Sequence, residues 1–299
     1  MYSNKPFVVT QDSMPMNFRR QDANYIVYSQ LKTLHAQPKP NYGIGIKYVL
    51  SGKEQHIVNG KTMNVLPHQF LLVNHQSEIS SKIQSQEIVK SVYLQLNTQM
   101  VNDVHRTLTT STEQLLDTPF GENSYSPFQC FERIYNAHQS NLGLYVLQVS
   151  SLVDKHPEHN FSENLYYQLA ENMVINQNEE FKRVNAIKAK KAATREELYR
   201  RLLVAKDYIE ANFDKKTEIE AIARIANIST FHFFRTFKQV FNISPHQYIL
   251  TLRLKKAAQL LKKRQNSITD IAYQVGFADI HAFSKAFKKN YHVAPSHFR

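Results

Sequence analysis

The sequence predicts an α+β chain: an N-terminal small antiparallel β-barrel with helices, then a C-terminal all-α domain with two helix-turn-helix motifs joined by a long helix. Three observations carry that expectation. Residues 25–96 hold short runs rich in Val, Ile and Tyr, broken by Gly, Pro and Asn turn signals. From about residue 98 the apolar spacing lengthens to the three- and four-residue steps of a helix. The final third carries one pattern twice. Ile222-Ala223, Asn227, Ser229, Phe233, Arg235, Phe237-Lys238 and Ser244-Pro245 recur as Ile271-Ala272, Gly276, Asp279, Phe283, Lys285, Phe287-Lys288 and Ala294-Pro295, with about one residue more at the second turn.

A chain of 299 residues is long enough for two domains, and 42% hydrophobic residues is enough for ordinary cores. No apolar run approaches the roughly 18 residues needed to span a bilayer, so no membrane partner is expected. The first residues, MYSNKPFVVTQDSMPM, lack a basic stretch followed by a long apolar one, so no signal peptide is expected. Cys130 is the only cysteine. It excludes an intrachain disulfide and a thiolate metal cluster within one chain, and it reads as a packed side chain in a reducing cytoplasm.

Residues 1–24, polar and without a period, read as an arm. The strand candidates are Tyr25–Leu34, Gly43–Leu50, Gln55–Val58, Phe70–Val73 and Ile88–Leu96. Asn59-Gly60, between His56-Ile57-Val58 and Thr62–Val65, is a two-residue hairpin signal. Strands so short and so spaced suggest a small antiparallel barrel or double-sheet roll. Helices are expected at Met100–Leu116, Phe128–His138, Leu142–Val153 and Asn164–Asn176. Leu142, Val146, Val149 and Val153 share a face, which suits a layer over the barrel and a dimer interface alike. Residues 177–194 are charged and poor in large apolar side chains, so they read as a linker between an N-terminal domain, 1–176, and a C-terminal domain, 195–299. Thr194 with Glu197 spells a capping box at the start of the next helix.

Each copy of the repeat reads as a short helix, a tight turn and a second helix, the arrangement that presents its second helix to a DNA major groove. Thr217 with Glu220 and Ser267 with Asp270 would cap the first helices, and Ser229 and Asp279 the second, at about 229–242 and 279–291. In the first recognition helix Phe233, Phe237 and Val240 or Phe241 make a core stripe, leaving Thr230, Phe231, Phe234, Arg235 and Lys238 outward. In the second, Phe283, Phe287 and Tyr291 or Asn290 face the core, leaving Ile280, His281, Ser284, Lys285 and Lys288 outward. Arg235 and Lys285 are placed to pair with guanine or hold a phosphate, and Phe231 and Ile280 to touch thymine methyls. The helix between the copies, from about Pro245 to about Arg264, would be about 30 Å long at about 1.5 Å per residue. That is close to the roughly 34 Å between successive major-groove contacts.

Charge agrees with this placement. Residues 200–299 hold 18 Lys/Arg and 7 Asp/Glu, a balance of +11, out of +12 for the chain. Concentrating the excess in one third points to a polyanion, because Lys and Arg on phosphates release condensed counterions.

The stretch Arg253-Leu254-Lys255-Lys256-Ala257-Ala258-Gln259-Leu260-Leu261, then Ile268-Thr269-Asp270-Ile271-Ala272, Gly276-Phe277, Phe283, Phe287-Lys288 and Pro295, resembles the signature of AraC/XylS-type transcription regulators. Ser229, Phe233, Arg235 and Phe237-Lys238 fit the same signature, and the resemblance covers about residues 198–299. It implies a two-motif domain that binds double-stranded DNA in a bacterial cytoplasm. It also implies transcriptional control, most often activation, with RNA polymerase as a candidate protein partner. The family's contact positions fall on Phe231, Phe234 and Arg235 and on His281, Ser284 and Lys285. Phe234 and His281 depart from the polar residues common there, so the bases read do not carry over. An attached N-terminal domain in this family often binds a small effector or dimerises. The strand pattern here is similar to the cupin-like barrel of such regulators, which makes His35, Tyr48, His56, His75 and Tyr93 candidate effector-binding groups and a homodimer a candidate assembly.

No cofactor is expected and no enzyme. His35, His56, His68 and His75 lack the paired spacing of metal-dependent cupins, and no nucleophile elbow, P-loop or dinucleotide fingerprint is present. Three rival readings remain: a regulator governed by abundance or a protein partner, a cupin metalloenzyme tethered to DNA, and an architectural basic protein without sequence preference.

Overall fold

A computed structural model describes residues 5–13, 23–117, 127–216 and 218–298. The chain divides into two compact units, Met1–Glu180 and Phe181–Arg299.

The first unit is α+β, with strands β1 (Phe7–Thr10), β2 (Tyr25–Pro40), β3 (Ile44–Ser51), β4 (Glu54–Val58), β5 (Lys61–Val65), β6 (Gln69–Val73), β7 (Glu78–Leu96) and β8 (Ile134–Asn136). The eight strands form one sheet, ordered β1-β2-β7-β3-β6-β8, with β4 pairing β5 and β7. Two long strands organise it. β2 and β7 pair antiparallel along their length, with register shifts between Leu31 and Thr33 and between Ala36 and Lys39. The other edge of β7 takes β4 at Ile79–Lys82 and β3 at Lys90–Leu96. A strand bent by irregularities can serve two sub-sheets, folding the sheet over instead of closing it. The ladder is accordingly open among the described residues, and the expectation of a closed antiparallel barrel is corrected. β1, placed in the supposed arm, also adds a parallel edge, Phe7 beside Val27.

Side chains alternate across the sheet. Ile26, Tyr28, Ile46, Tyr48, Phe70, Val92 and Leu94 join the core beneath the helical layer, whereas Val27, Leu31 and Val89, and separately Val49, Leu71 and Val73, pack on the other face. The helical layer comprises α1 (Thr98–Thr109), α3 (Asn141–Lys155) and α4 (Glu163–Ala186), while the described residues of the short α2 (Thr112–Asp117) lie outside that core. Leu142, Val146, Val149 and Val153 of α3 are all buried in that core.

Two expectations fail here for tertiary reasons. Residues 128–138 are not a helix. They run extended through β8 into a single 3-10 turn, Ala137–Gln139. Asn74 fixes the extended backbone, its amide donating to the Cys130 carbonyl at 2.9 Å while its oxygen accepts from the Cys130 N–H at 2.8 Å, and Tyr135 stacks on Phe70 at 5.2 Å. Cys130 is buried, which pushes its thiol well above the usual range. The stretch 177–194 contains the last turns of α4 and the first of α5 (Ala192–Asn212). Its polar composition hides buried, partnered groups. Gln177 accepts from the Phe131 N–H at 2.8 Å, and Glu180 pairs with Arg133 at 3.0 Å. α5 starts two residues before Thr194, from an N-cap at Lys191 with no side-chain cap, so the Thr194 capping box is not formed.

The second unit continues with α6 (Ile219–Ile225), α7 (Thr230–Phe241), α8 (Pro245–Lys263), α9 (Ile268–Gln274) and α10 (Ile280–Tyr291). Its core sets aromatic pairs among aliphatic side chains such as Leu254, Leu261, Ile271 and Val275. Phe237 lies 5.4 Å from Phe233, 4.6 Å from Phe241 and 5.7 Å from Tyr248, ring centre to ring centre. Phe287 holds the matching place in the second copy, 5.5 Å from Phe283 and 4.6 Å from Tyr291. Among the described residues no helix is long and apolar enough to cross a membrane.

Candidate nucleic-acid interface

The two turns that aim α7 and α10 are built alike. Asn227, at φ 52°, donates its N–H to Arg224 O at 2.9 Å, and Ile228 donates to Ala223 O at 3.0 Å. Gly276, at φ 86°, donates to Tyr273 O at 2.9 Å, and Phe277 to Ala272 O at 3.0 Å. This pair of bonds ends a helix on a left-handed residue and satisfies its last carbonyls.

The helix starts follow. The Asp279 carboxylate accepts from the Ala282 N–H at 2.7 Å, while Ser229 holds the N-cap of α7 with no side-chain bond. Ser267 caps α9 through the Asp270 N–H at 3.0 Å, and Ser244 with Gln247 forms a capping box ahead of Pro245. The N-cap of α6 is Glu218, without a side-chain bond, and Thr217 lies outside the described residues.

Burial then sorts the faces. Phe233, Thr236, Phe237 and Val240 of α7 are buried, while Thr230, Phe231, His232, Phe234, Arg235 and Lys238 are exposed. On α10, Phe283 and Phe287 are buried and Tyr291 packs against them. Asn290, the alternative core position, is exposed. His281, Lys285 and Lys288 are exposed, and Ile280 and Ser284 are half-buried. All ten outward positions read from the sequence thus lie off the buried stripe. Two further exposed groups, His232 and Lys289, were not foreseen, since the pattern marks a stripe and not its flanks. Neither helix carries a carboxylate. The surface offered is cationic and donor-rich, with amphipathic helices seated on aromatic cores and their first turns clear.

Residues 222–299 match a family model described as a helix-turn-helix domain. The lactose operon transcription activator of Staphylococcus xylosus is 36% identical over 95 residues, 32% of this chain and 34% of that protein. The HTH-type transcriptional regulator MtrA of Neisseria gonorrhoeae is 41% identical over 81 residues, 27% of either chain. The C-terminal unit carries an AraC-type helix-turn-helix domain. A solved C-terminal domain of AraT, a response regulator from Geobacillus stearothermophilus, is 34% identical, covering 33% of this chain and 83% of that one, with a TM-score of 0.32. The chain covers about a third of the length of the relatives it matches, 34% for the first.

Within the AraC-type domain, α8 separates α7 from α10. Its 19 residues span about 28 Å at about 1.5 Å each. A cavity of about 540 Å³ lies along it, lined by His246, Ile249, Leu250 and Arg253 and by Gly276, Phe277 and Ala278 of the second turn. Arg253 is committed to the fold, its guanidinium donating to Phe213 O at 2.6 Å and Lys215 O at 3.0 Å.

The five effector candidates of the first unit do not form one site. His35 and His75 are exposed, the latter accepting the Gly43 N–H at 3.0 Å. Tyr48 is buried in the core beneath the helices. Tyr93 projects to the opposite face, where its hydroxyl donates to Asn41 at 2.8 Å and the Lys47 ammonium lies 4.3 Å from its ring centre. His56 is fully buried, 2.9 Å from Ser81 Oγ and 3.7 Å from Glu54. Burial pushes its pKa down to about 4, Lys47 adding to the effect and Glu54 opposing it. Burial also lowers the Lys47 ammonium and holds the Tyr93 hydroxyl well above its usual range. Glu54 and His56, two apart on one strand, share a face as their spacing predicts, whereas Lys47 is not marked by the sequence. Among the described residues no group of three or more His, Cys, Asp or Glu side chains is gathered to hold a metal ion.

Proposed function

We propose that this protein is a sequence-specific DNA-binding transcription regulator whose α7 and α10 enter successive major grooves on one face of the duplex. The observation that carries the reading is the duplicated reader itself. Two helices of matching register each keep an aromatic stripe buried and turn Arg235 or Lys285, with their neighbours, to solvent from a strongly basic unit. The length of α8 suits a single domain spanning one helical turn of DNA. Activation is the sign favoured by the relatives' names, and RNA polymerase is the partner that activation requires.

The first unit is the sensing or dimerising part, its long strand β7 shared between two sub-sheets. An effector would meet the polar set around Lys47, Glu54, His56 and Tyr93, where His56 Nε2 and Gln95 Nε2 are buried without a hydrogen-bond partner among the described residues. Such a ligand would act by shifting the population of DNA-competent arrangements, in a monomer or a homodimer. DNA affinity identical across a broad effector panel would favour control by abundance or a protein partner instead.

The test is genomic occupancy of the tagged protein, with and without Arg235→Ala plus Lys285→Ala. Sharp sites with a shared two-part motif, lost in the variant, are expected. Diffuse occupancy unchanged by the substitutions would mean binding through phosphates alone, which carry no base information.

A further inference from the structure

Aligned on their N-caps, Ser229 and Asp279, the recognition helices place unlike chemistry at equivalent outward positions. Phe231 stands where α10 has His281, and Phe234 where α10 has Ser284. Arg235 and Lys285 also coincide, as do the buried pairs Phe233 with Phe283 and Phe237 with Phe287. The two readers therefore share a scaffold and a cation but differ between the N-cap and that cation, where Thr230, Phe231, His232 and Phe234 stand opposite Ile280, His281, Ala282 and Ser284.

Phe231 is 79% exposed, more than any other large hydrophobic side chain among the described residues, and Phe234 is 40% exposed. They are three residues apart on one helix, so their rings are neighbours on its surface. An apolar pair on the first turns of a helix that also bears Arg235 and Lys238 is placed where a base edge would be met. The major groove offers one apolar group to such a pair, the thymine C5-methyl. On α10 the corresponding surface bears the imidazole of His281 and the hydroxyl of Ser284, which exchange hydrogen bonds with base edges. Its apolar side chains there are smaller than a phenyl ring: Ala282 is exposed, and Ile280, like Ser284, is half-buried.

We infer that the two half-sites are read by different chemistry: α7 recognises thymine methyl groups through Phe231 and Phe234, and α10 recognises hydrogen-bonding edges through His281 and Ser284. This rests on the regulator reading and adds the class of base contact for each helix.

The test uses the full-length protein and a duplex carrying the motif selected from random DNA. The half-site of α7 is the one whose base preference changes in Arg235→Ala. Thymine is then replaced by deoxyuridine in one half-site at a time. That exchange removes only the methyl and leaves pairing and the O4 acceptor intact. In the α7 half-site each lost methyl is expected to weaken binding about fourfold, the equivalent of one buried carbon. The same exchange in the α10 half-site should leave affinity within about twofold. Phe231→Ala, at an exposed position, should bind the thymine site more weakly and lose its sensitivity to deoxyuridine. A selected motif with no thymine in the α7 half-site, or full tolerance of deoxyuridine there, overturns the inference while leaving sequence-specific binding in place. Failure to select any motif overturns both.

Discussion

Asn227 and Gly276 occupy the same left-handed position in the two copies of one turn, but only Gly276 has backbone pressed against it. A Cβ there would sit 2.3 Å from the Asp214 carbonyl oxygen. Asn227 already carries its side chain at φ 52°. Gly276→Ala is therefore expected to cost at least about 2 kcal/mol, combining left-handed strain with the backbone clash. Asn227→Gly should stay within about 0.5 kcal/mol. Denaturant midpoints of the two variants check this, and equal losses would sink the distinction.

Phe237 and Phe231 lie six residues apart on different faces of α7 and should behave oppositely. Phe237 is fully buried against Phe233, Phe241 and Tyr248. Phe237→Ala is expected to destabilise the second unit by about 3–5 kcal/mol. Phe231→Ala removes a side chain that is 79% exposed and should change stability by less than about 0.5 kcal/mol. Thermal unfolding of each variant gives the comparison.

Arg235 and Lys285 should matter to DNA and not to folding, being exposed at matching places on α7 and α10. Each replaced by Ala is expected to weaken binding to the specific site by about 1–3 kcal/mol if it contacts a base. Affinity for unrelated duplexes should then fall far less. A loss of equal size on every sequence, with the salt slope reduced by about 1, would assign that side chain to a phosphate.

The second unit was the more legible in the sequence, and the reason is physical. Its stripes of Phe233 and Phe237, and of Phe283 and Phe287, are set by helical period, and Ser244, Ser267 and Asp279 mark helix starts by local hydrogen bonds. Such signals lie within a few residues of the feature they specify. The first unit hides its geometry in long-range pairing. Nothing local announces that β7 would extend to Glu78 and accept both β3 and β4 on one edge. Cys130 and Tyr135 lie extended because Asn74 and Phe70, distant in sequence, hold them so. Alternation along β7 places Tyr93 and the neighbouring Val92 on opposite faces. A strand register guessed one residue off therefore misassigns every inward side chain, which is why Tyr48 and Tyr93 were grouped although the sheet separates them.

His56 makes the first unit sensitive to acid. The ring is fully buried, with Ser81, Glu54 and Lys47 as its polar and charged neighbours. Its pKa falls from the usual 6.5 to about 4 on folding. The unfolded chain therefore binds more protons than the native one between those values, and stability rises with pH across that window. The contribution is complete above about pH 6.5 and is lost as pH falls towards 4, by up to about 3 kcal/mol. His56→Gln keeps a hydrogen-bonding group for Ser81 but cannot titrate. Unfolding free energies measured at pH 7.5 and pH 4.5 should fall more steeply for the native sequence than for His56→Gln, whatever offset the substitution adds at both. Parallel slopes would mean that the folded protein holds the charged imidazole as readily as the unfolded chain does.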